Sequence, residues 1–68
     1  MKMTYEIVGR DGQAVVEVPC DEKFAVQGWA LEWAGHNADT DEYIIRRDRR
    51  DWSKLYRTAG GQWYLMNA

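Results

Sequence analysis

YIIRRDRRDWSKLYR, residues 43–57, holds six of the nine basic residues of a 68-residue chain, beside two tyrosines and a tryptophan. Taken as one element it is a basic, aromatic strip of the kind that meets nucleic acid. Taken as strand, Asp48-Arg49-Arg50-Asp51 turn and strand, it is a hairpin whose charges divide between two faces, because side chains alternate along a strand. The hairpin reading decides the fold. With Arg49 and Arg50 at the tip, one face takes Tyr43, Ile45, Arg47, Trp52, Lys54 and Tyr56, and the other takes Ile44, Arg46, Ser53, Leu55 and Arg57.

Downstream, Gly60-Gly61 is a two-residue hairpin signal and QWYLMN a further strand, which adds Thr58, Trp63 and Leu65 to the first face and Tyr64 and Met66 to the second. Upstream, TYEIV and QAVVEV flank the turn Gly9-Arg10-Asp11-Gly12. With Arg10-Asp11 as the tip, Ile7 pairs with Ala14, Tyr5 with Val16 and Met3 with Val18 on one face. Glu6 with Val15, Thr4 with Glu17 and Val8 with Gln13 form the other.

Between the hairpins lies a helix. Pro19 has no N–H for a ladder and ends the second strand; Asp21 is a suitable N-cap, with Glu22 near the positive end of the helix dipole. EKFAVQGWALEWAG, residues 22–35, puts Val26, Ala30, Trp33 and Ala34 on one stripe, with Trp29 on one shoulder and Phe24 and Leu31 on the other. Gly28 weakens a helix by about 1 kcal/mol relative to alanine, which points to a close backbone approach there. Gly35, His36 and Asn37 form the expected end. The order is β-β-α-β-β-β: an α+β fold, a small two-layer sandwich with an antiparallel sheet and one helix on one face, forming a single domain over residues 1–68.

A helix of that length covers one side of such a sheet. The face of Tyr43, Ile45, Trp52, Tyr56, Trp63 and Leu65 has the more large apolar groups and is expected beneath the helix. The opposite face, with Arg46, Arg57, Tyr64, Leu55 and Met66, is then left open; Ile44, Leu55 and Met66 also form an aliphatic row that reads as core, and if that side is covered Arg47 and Lys54 stand outside with Tyr43, Tyr56 and Trp52. Either open face sets basic groups among aromatic or aliphatic ones, a mixture protein interfaces favour.

Composition narrows the function. The 46% hydrophobic content is that of a folded domain, and the single Cys20 has no partner for an intrachain disulfide, which suits a reducing cytoplasm. No secretory leader or apolar run of membrane-spanning length is read, so no membrane is expected. The net charge of −2 conceals a split: residues 1–42 carry three basic and nine acidic groups, residues 43–68 six basic and two acidic. Asp39, Asp41 and Glu42 form an acidic set suited to a basic surface. NADTDEYIIRRD puts Asn37, Asp39, Asp41 and Asp48 at calcium-loop positions, but Glu42 stands where the turn glycine is needed and strand follows, so no metal is expected. His36, the only histidine, reads as a helix-end residue. Without a second histidine, a nucleophile motif or a phosphate-cradling glycine loop, neither an enzyme nor a cofactor is expected.

The run VEVP (16–19), Cys20-Asp21-Glu22, AVQGWALEWA (25–34) and YIIRR (43–47) resembles, in size and layout, small phage-encoded inhibitors of host machinery: anti-CRISPR proteins and the short phage inhibitors of bacterial RNA polymerase. The resemblance implies a compact, non-catalytic domain in the host cytoplasm that occludes a surface of a larger host protein or nucleoprotein complex. The candidate partner-binding residues are Arg46, Arg57, Tyr64, Arg49, Arg50, Trp29, Asp39, Asp41 and Glu42. The alternative is a nucleic-acid-binding module using the hairpin from Arg46 to Arg57, and a third reading is a homodimer through the face left open.

Overall fold

The computed structural model describes residues 3–67. Strands β1 (Tyr5–Val8) and β2 (Ala14–Glu17), helix α1 (Lys23–Asn37) and strands β3 (Glu42–Arg47), β4 (Arg50–Arg57) and β5 (Trp63–Asn67) follow in that order. All five strands join one antiparallel sheet in the order β2-β1-β3-β4-β5. The single helix packs on one face and lies nearest β5. This is the α+β, two-layer arrangement expected from the element order.

The turns differ from expectation in a way that moves side chains. Neither outer hairpin uses a two-residue tip. In the first, the Gly9 N–H donates to the Gln13 carbonyl at 3.0 Å and the Gly12 N–H to the Gly9 carbonyl at 3.0 Å, with Gly12 at φ 85°. In the last, the Thr58 N–H donates to the Gln62 carbonyl at 2.9 Å and the Gly61 N–H to the Thr58 carbonyl at 2.9 Å, with Gly61 at φ 87°. Both are three-residue loops closed by a left-handed glycine. In the central hairpin the tip is Asp48-Arg49, at φ 50° and 70°, rather than Arg49-Arg50. Two left-handed residues in succession suit the strand twist, and aspartate tolerates that conformation. Asp48 is also tied to the chain before β1: its N–H donates to the Thr4 carbonyl at 2.9 Å, and its carboxylate accepts from the Thr4 N–H at 3.0 Å.

These turns, together with a bulge at Trp52 in the central hairpin, reset the register. In β1–β2 the pairing slides by two, so that Ile7 faces Val16 rather than Ala14, and Tyr5 accepts from the Val18 N–H. An even slip keeps Tyr5, Ile7, Val16 and Val18 on the expected face. Ile45 faces Ser53 rather than Lys54, and Leu55 faces Leu65 rather than Met66. These two single slips cancel between β3 and β5, so Tyr43, Ile45, Trp63 and Leu65 share the helix side as expected. β4 alone is turned over. Ser53 and Leu55 point to the helix, where they are 2% and 0% exposed, and Lys54 and Tyr56 point away. The physical reason is plain: the expected register would have buried the Lys54 ammonium under the helix and left leucine outside.

Trp52 keeps its core contact by a different route. The pairing shifts between Ile45 and Arg46, which leaves Trp52 without an opposite residue, and its ring meets that of buried Tyr5 edge-on at 5.0 Å. At the other end of the core Trp33 stands edge-on to Tyr43 at 5.3 Å, and Tyr43 lies 6.2 Å from Trp63. Between these aromatic ends, Val26, Ala30 and Ala34 of α1 meet Ile7, Ile45 and Leu55. Their spacing of four residues makes a narrow, small-residue stripe that lets the helix lie close to the sheet.

Three details of the helix differ from expectation. The N-cap is Glu22, not Asp21, and its carboxylate accepts from the Ala25 N–H at 2.9 Å. The helix runs through Gly35 to Asn37, whose side-chain amide donates to the Trp33 carbonyl at 3.1 Å, and Ala38 leaves in extended conformation rather than a left-handed one. Gly28 meets no close neighbour, and Phe24 is 72% exposed rather than packed on a shoulder.

Candidate functional site: the open face and the arginine turn

Among the described residues no helix or strand packs on the face away from α1, and only at its β1 end, where Val8 stands opposite Ile44, is a side chain nearly fully buried, at 1% exposed. Glu6 and Val8 of β1, Glu42, Ile44 and Arg46 of β3, Lys54 and Tyr56 of β4, and Tyr64 and Met66 of β5 make it up. Tyr64 is 45% exposed and Met66 50%, and the Tyr56 and Tyr64 rings lie 6.0 Å apart as a cross-strand pair. The Tyr64 hydroxyl donates to the Gln62 side chain at 2.6 Å, which holds the ring in place. Between β1 and β3 a shallow depression of about 220 Å³ is lined by Val8, Ile44, Arg10, Glu42 and Arg46 among others.

The two cations carried by the strands on this face, Arg46 and Lys54, already have partners. Arg46 donates to Asp51 at 3.3 Å and Lys54 lies 3.4 Å from Glu42. The apolar group of Tyr56, Tyr64 and Met66, and Ile44 across Lys54 from it, therefore sit among neutralised pairs. Exposed pairs of this kind are worth only about 0.2–1 kcal/mol each. Their main effect is to leave the face without strong net charge.

Arg57 is not on this face. Its Nε donates to the Asp41 carboxylate at 2.7 Å, a second nitrogen bonds the same oxygen, and the guanidinium lies 5.4 Å from the centre of the Trp63 ring. It pins the loop before β3 to the sheet. Asp39 is engaged as well: it accepts from the Tyr43 hydroxyl at 2.7 Å while its own N–H donates to that hydroxyl at 3.0 Å. With Glu42 on Lys54, all three members of the acidic set face partners within the chain. Among the described residues no group of three or more histidine, cysteine, aspartate or glutamate side chains comes together as a metal site.

Three other arginines behave differently. Arg47, Arg49 and Arg50 surround the Asp48-Arg49 turn, are exposed, and make no ion pair among the described residues. The Asp48 carboxylate beside them accepts from the Thr4 N–H and makes no ion pair with any of the three. The basic run thus separates into a paired set, Arg46, Lys54 and Arg57, and an unpaired set at one end of the sheet. Half-buried Trp52 and exposed Met3 line the same end. Trp29 is half-buried on α1, where it lines a shallow depression with Glu32, Trp33 and His36, far in the chain from either set.

Of the expected site residues, Arg46, Glu42 and Tyr64 share the open face, Arg49 and Arg50 share the turn, and Arg57, Asp39, Asp41 and Trp29 lie elsewhere. Lys54 and Tyr56 were expected under the helix and instead belong to the open face. A signal for this lay in the chain: the expected register put both Arg47 and Lys54 on the core side. The protein is a small sheet-and-helix domain with one uncovered face. Comparison with protein-family models, curated proteins and solved structures found no match. No helix among the described residues is long and apolar enough to cross a membrane.

Proposed function

We propose that the chain is a non-catalytic binding protein, of the phage-inhibitor kind its layout resembles, that covers a surface of a larger host protein or nucleoprotein complex. The observation that carries this reading is the open face. Tyr56, Tyr64 and Met66 form an apolar group on β4 and β5, Lys54 stands between Met66 and Ile44, and the pairs Lys54–Glu42 and Arg46–Asp51 neutralise the charges beside it. Aromatic and methionine anchors surrounded by satisfied polar groups suit a protein surface. A phosphate backbone would instead call for cations without partners.

The test is capture from bacterial host lysate by the immobilised protein. Truncating the two central tyrosines, together worth about 2 kcal/mol or more at an interface, should weaken retention of a stoichiometric host protein at least about 30-fold in Y56A/Y64A, by the relation of tenfold per 1.4 kcal/mol. The R49A/R50A variant should retain it. No stoichiometric host protein, or equal capture by the tyrosine variant, overturns the reading.

A second reading has its own observation, the unpaired Arg47, Arg49 and Arg50 at one turn. Three cations able to contact phosphate together would bind nucleic acid weakly and with steep salt dependence. Fluorescence anisotropy with single- and double-stranded DNA and RNA at low salt decides it. A shift below about 100 μM protein that R47A/R49A/R50A abolishes supports it, and no shift at that concentration removes it.

A further inference from the structure

The sheet has two edges, and they differ. β2 is four residues long, ends in Glu17, and is broken by a pairing shift opposite Ile7 and Val8 that leaves Val15 without a β1 partner. A short strand, a charge and a bulge are the devices by which natural sheets avoid edge-to-edge pairing. β5, Trp63-Tyr64-Leu65-Met66-Asn67, is one residue longer and has no charge, no proline and an unbroken register with β4.

The direction of its backbone groups follows from the turn. Gln62 directs its carbonyl to Thr58. By alternation Tyr64 and Met66 direct their N–H and C=O groups to β4, while Trp63, Leu65 and Asn67 direct theirs outward. The Ser53 hydroxyl, which donates to the Met66 carbonyl at 3.1 Å, agrees with that assignment. Residues with outward groups are the ones a further strand must meet.

We propose that β5 pairs antiparallel with β5 of a second copy of this chain, centred on Leu65, so that two five-stranded sheets join into one. In that register each outward-directed residue meets another: Leu65 meets Leu65 of the second copy, and Trp63 meets its Asn67. About six inter-chain hydrogen bonds result, two for each such pair. On the open face Tyr64 stands against Met66 of the second copy, twice by symmetry, an aromatic–thioether contact. These two side chains, 45% and 50% exposed in one copy, cover each other. No charged group lies on either strand, so two identical edges meet without repulsion, whereas β2 would bring Glu17 near its own counterpart.

A five-residue edge is a small contact beside the ~1,200 Å² of a stable complex, so the dimer is weak and reversible. It joins the two open faces into one continuous surface, but does not depend on the partner proposed above.

Sedimentation equilibrium and hydrogen exchange test it. Wild-type protein should move from 8.0 kDa towards twice that mass as concentration rises, and the Leu65 amide should gain protection over the same range. Y64K/M66K and Y64E/M66E should each remain at 8.0 kDa while keeping the wild-type circular dichroism spectrum, and mixing the two should restore a one-to-one dimer through opposite charges. Wild-type protein that stays at 8.0 kDa up to about 1 mM overturns the proposal. So does a dimer in which the Leu65 amide gains no protection. Tyr56→Ala, which leaves β5 unchanged, should lose host-protein capture while keeping self-association, and that outcome separates the two surfaces.

Discussion

Gly12 in the β1–β2 hairpin and Gly61 in the β4–β5 hairpin take almost the same backbone angle, φ 85° and 87°, and each donates to the carbonyl three residues before it. The two outer hairpins therefore share a turn, yet they end in opposite kinds of edge. β2 loses its regular pairing within four residues and carries a carboxylate, while β5 continues regularly and carries apolar groups on both faces. Turn chemistry sets where a strand begins to pair. It does not determine whether the strand's far side can pair again, which depends on length, charge and interruption.

The largest expected effect separates the inner strand from the outer one. Leu55 of β4 is 0% exposed and lies between Tyr43 and Leu65, so Leu55→Ala removes a filled volume that no neighbour can close. It should cost about 2–5 kcal/mol. A chain of 68 residues holds only about 3–10 kcal/mol of net stability in all. Val16, half-buried on β2, should lose about 1 kcal/mol as alanine. Urea unfolding at concentrations where the protein is monomeric compares them. Equal losses would mean that the core is not centred on β3 and β4.

The inner strand β4 is also the one that local pattern does not orient. The element order, the helix stripe of Val26, Ala30 and Ala34, and the face shared by Tyr43, Ile45, Trp63 and Leu65 all follow from local pattern, because period and turn residues act over a few positions. The orientation of β4 does not. The tip at Asp48-Arg49 rather than Arg49-Arg50 slides the pairing by two and would leave the faces as they were; it is the passing over of Trp52 that turns every side chain from Ser53 onward to the other face. Asp48 opens the tip because its backbone and carboxylate both bond Thr4, 44 residues away, a contact that no local pattern announces. The same applies to the site. Arg46 and Tyr64 could be placed on the open face from alternation, but Arg57 is drawn away by Asp41, and Lys54 and Tyr56 arrive only because β4 is turned over.

An intermediate effect tests the shared turn. Gly12→Ala and Gly61→Ala each force a side chain into the left-handed region, at a cost of about 1–2 kcal/mol, and neither added carbon meets a close neighbour. The two losses should agree to within about 0.5 kcal/mol, since the backbone conformation alone is responsible. A difference well above that, measured by thermal or urea unfolding, would show that one hairpin carries strain the other lacks. The turns would then not be equivalent.

The smallest effect bears directly on the edges. Val15 is 53% exposed on β2 and lacks a β1 partner at the pairing shift, so Val15→Lys exchanges an exposed apolar group for a solvated one without disturbing a ladder. Unfolding free energy should change by no more than about 0.5 kcal/mol. Sedimentation should also match the wild type, because a lysine added to an edge already bulged and charged has no pairing to prevent. The same residue type on β5, in Y64K/M66K, should abolish self-association. If Val15→Lys instead dissolved a dimer while the β5 variant kept it, the bulged edge would be the one that pairs. The rule that interruption and charge protect an edge would then fail in this sheet, and the contrast between its two outer hairpins would have to be drawn the other way round.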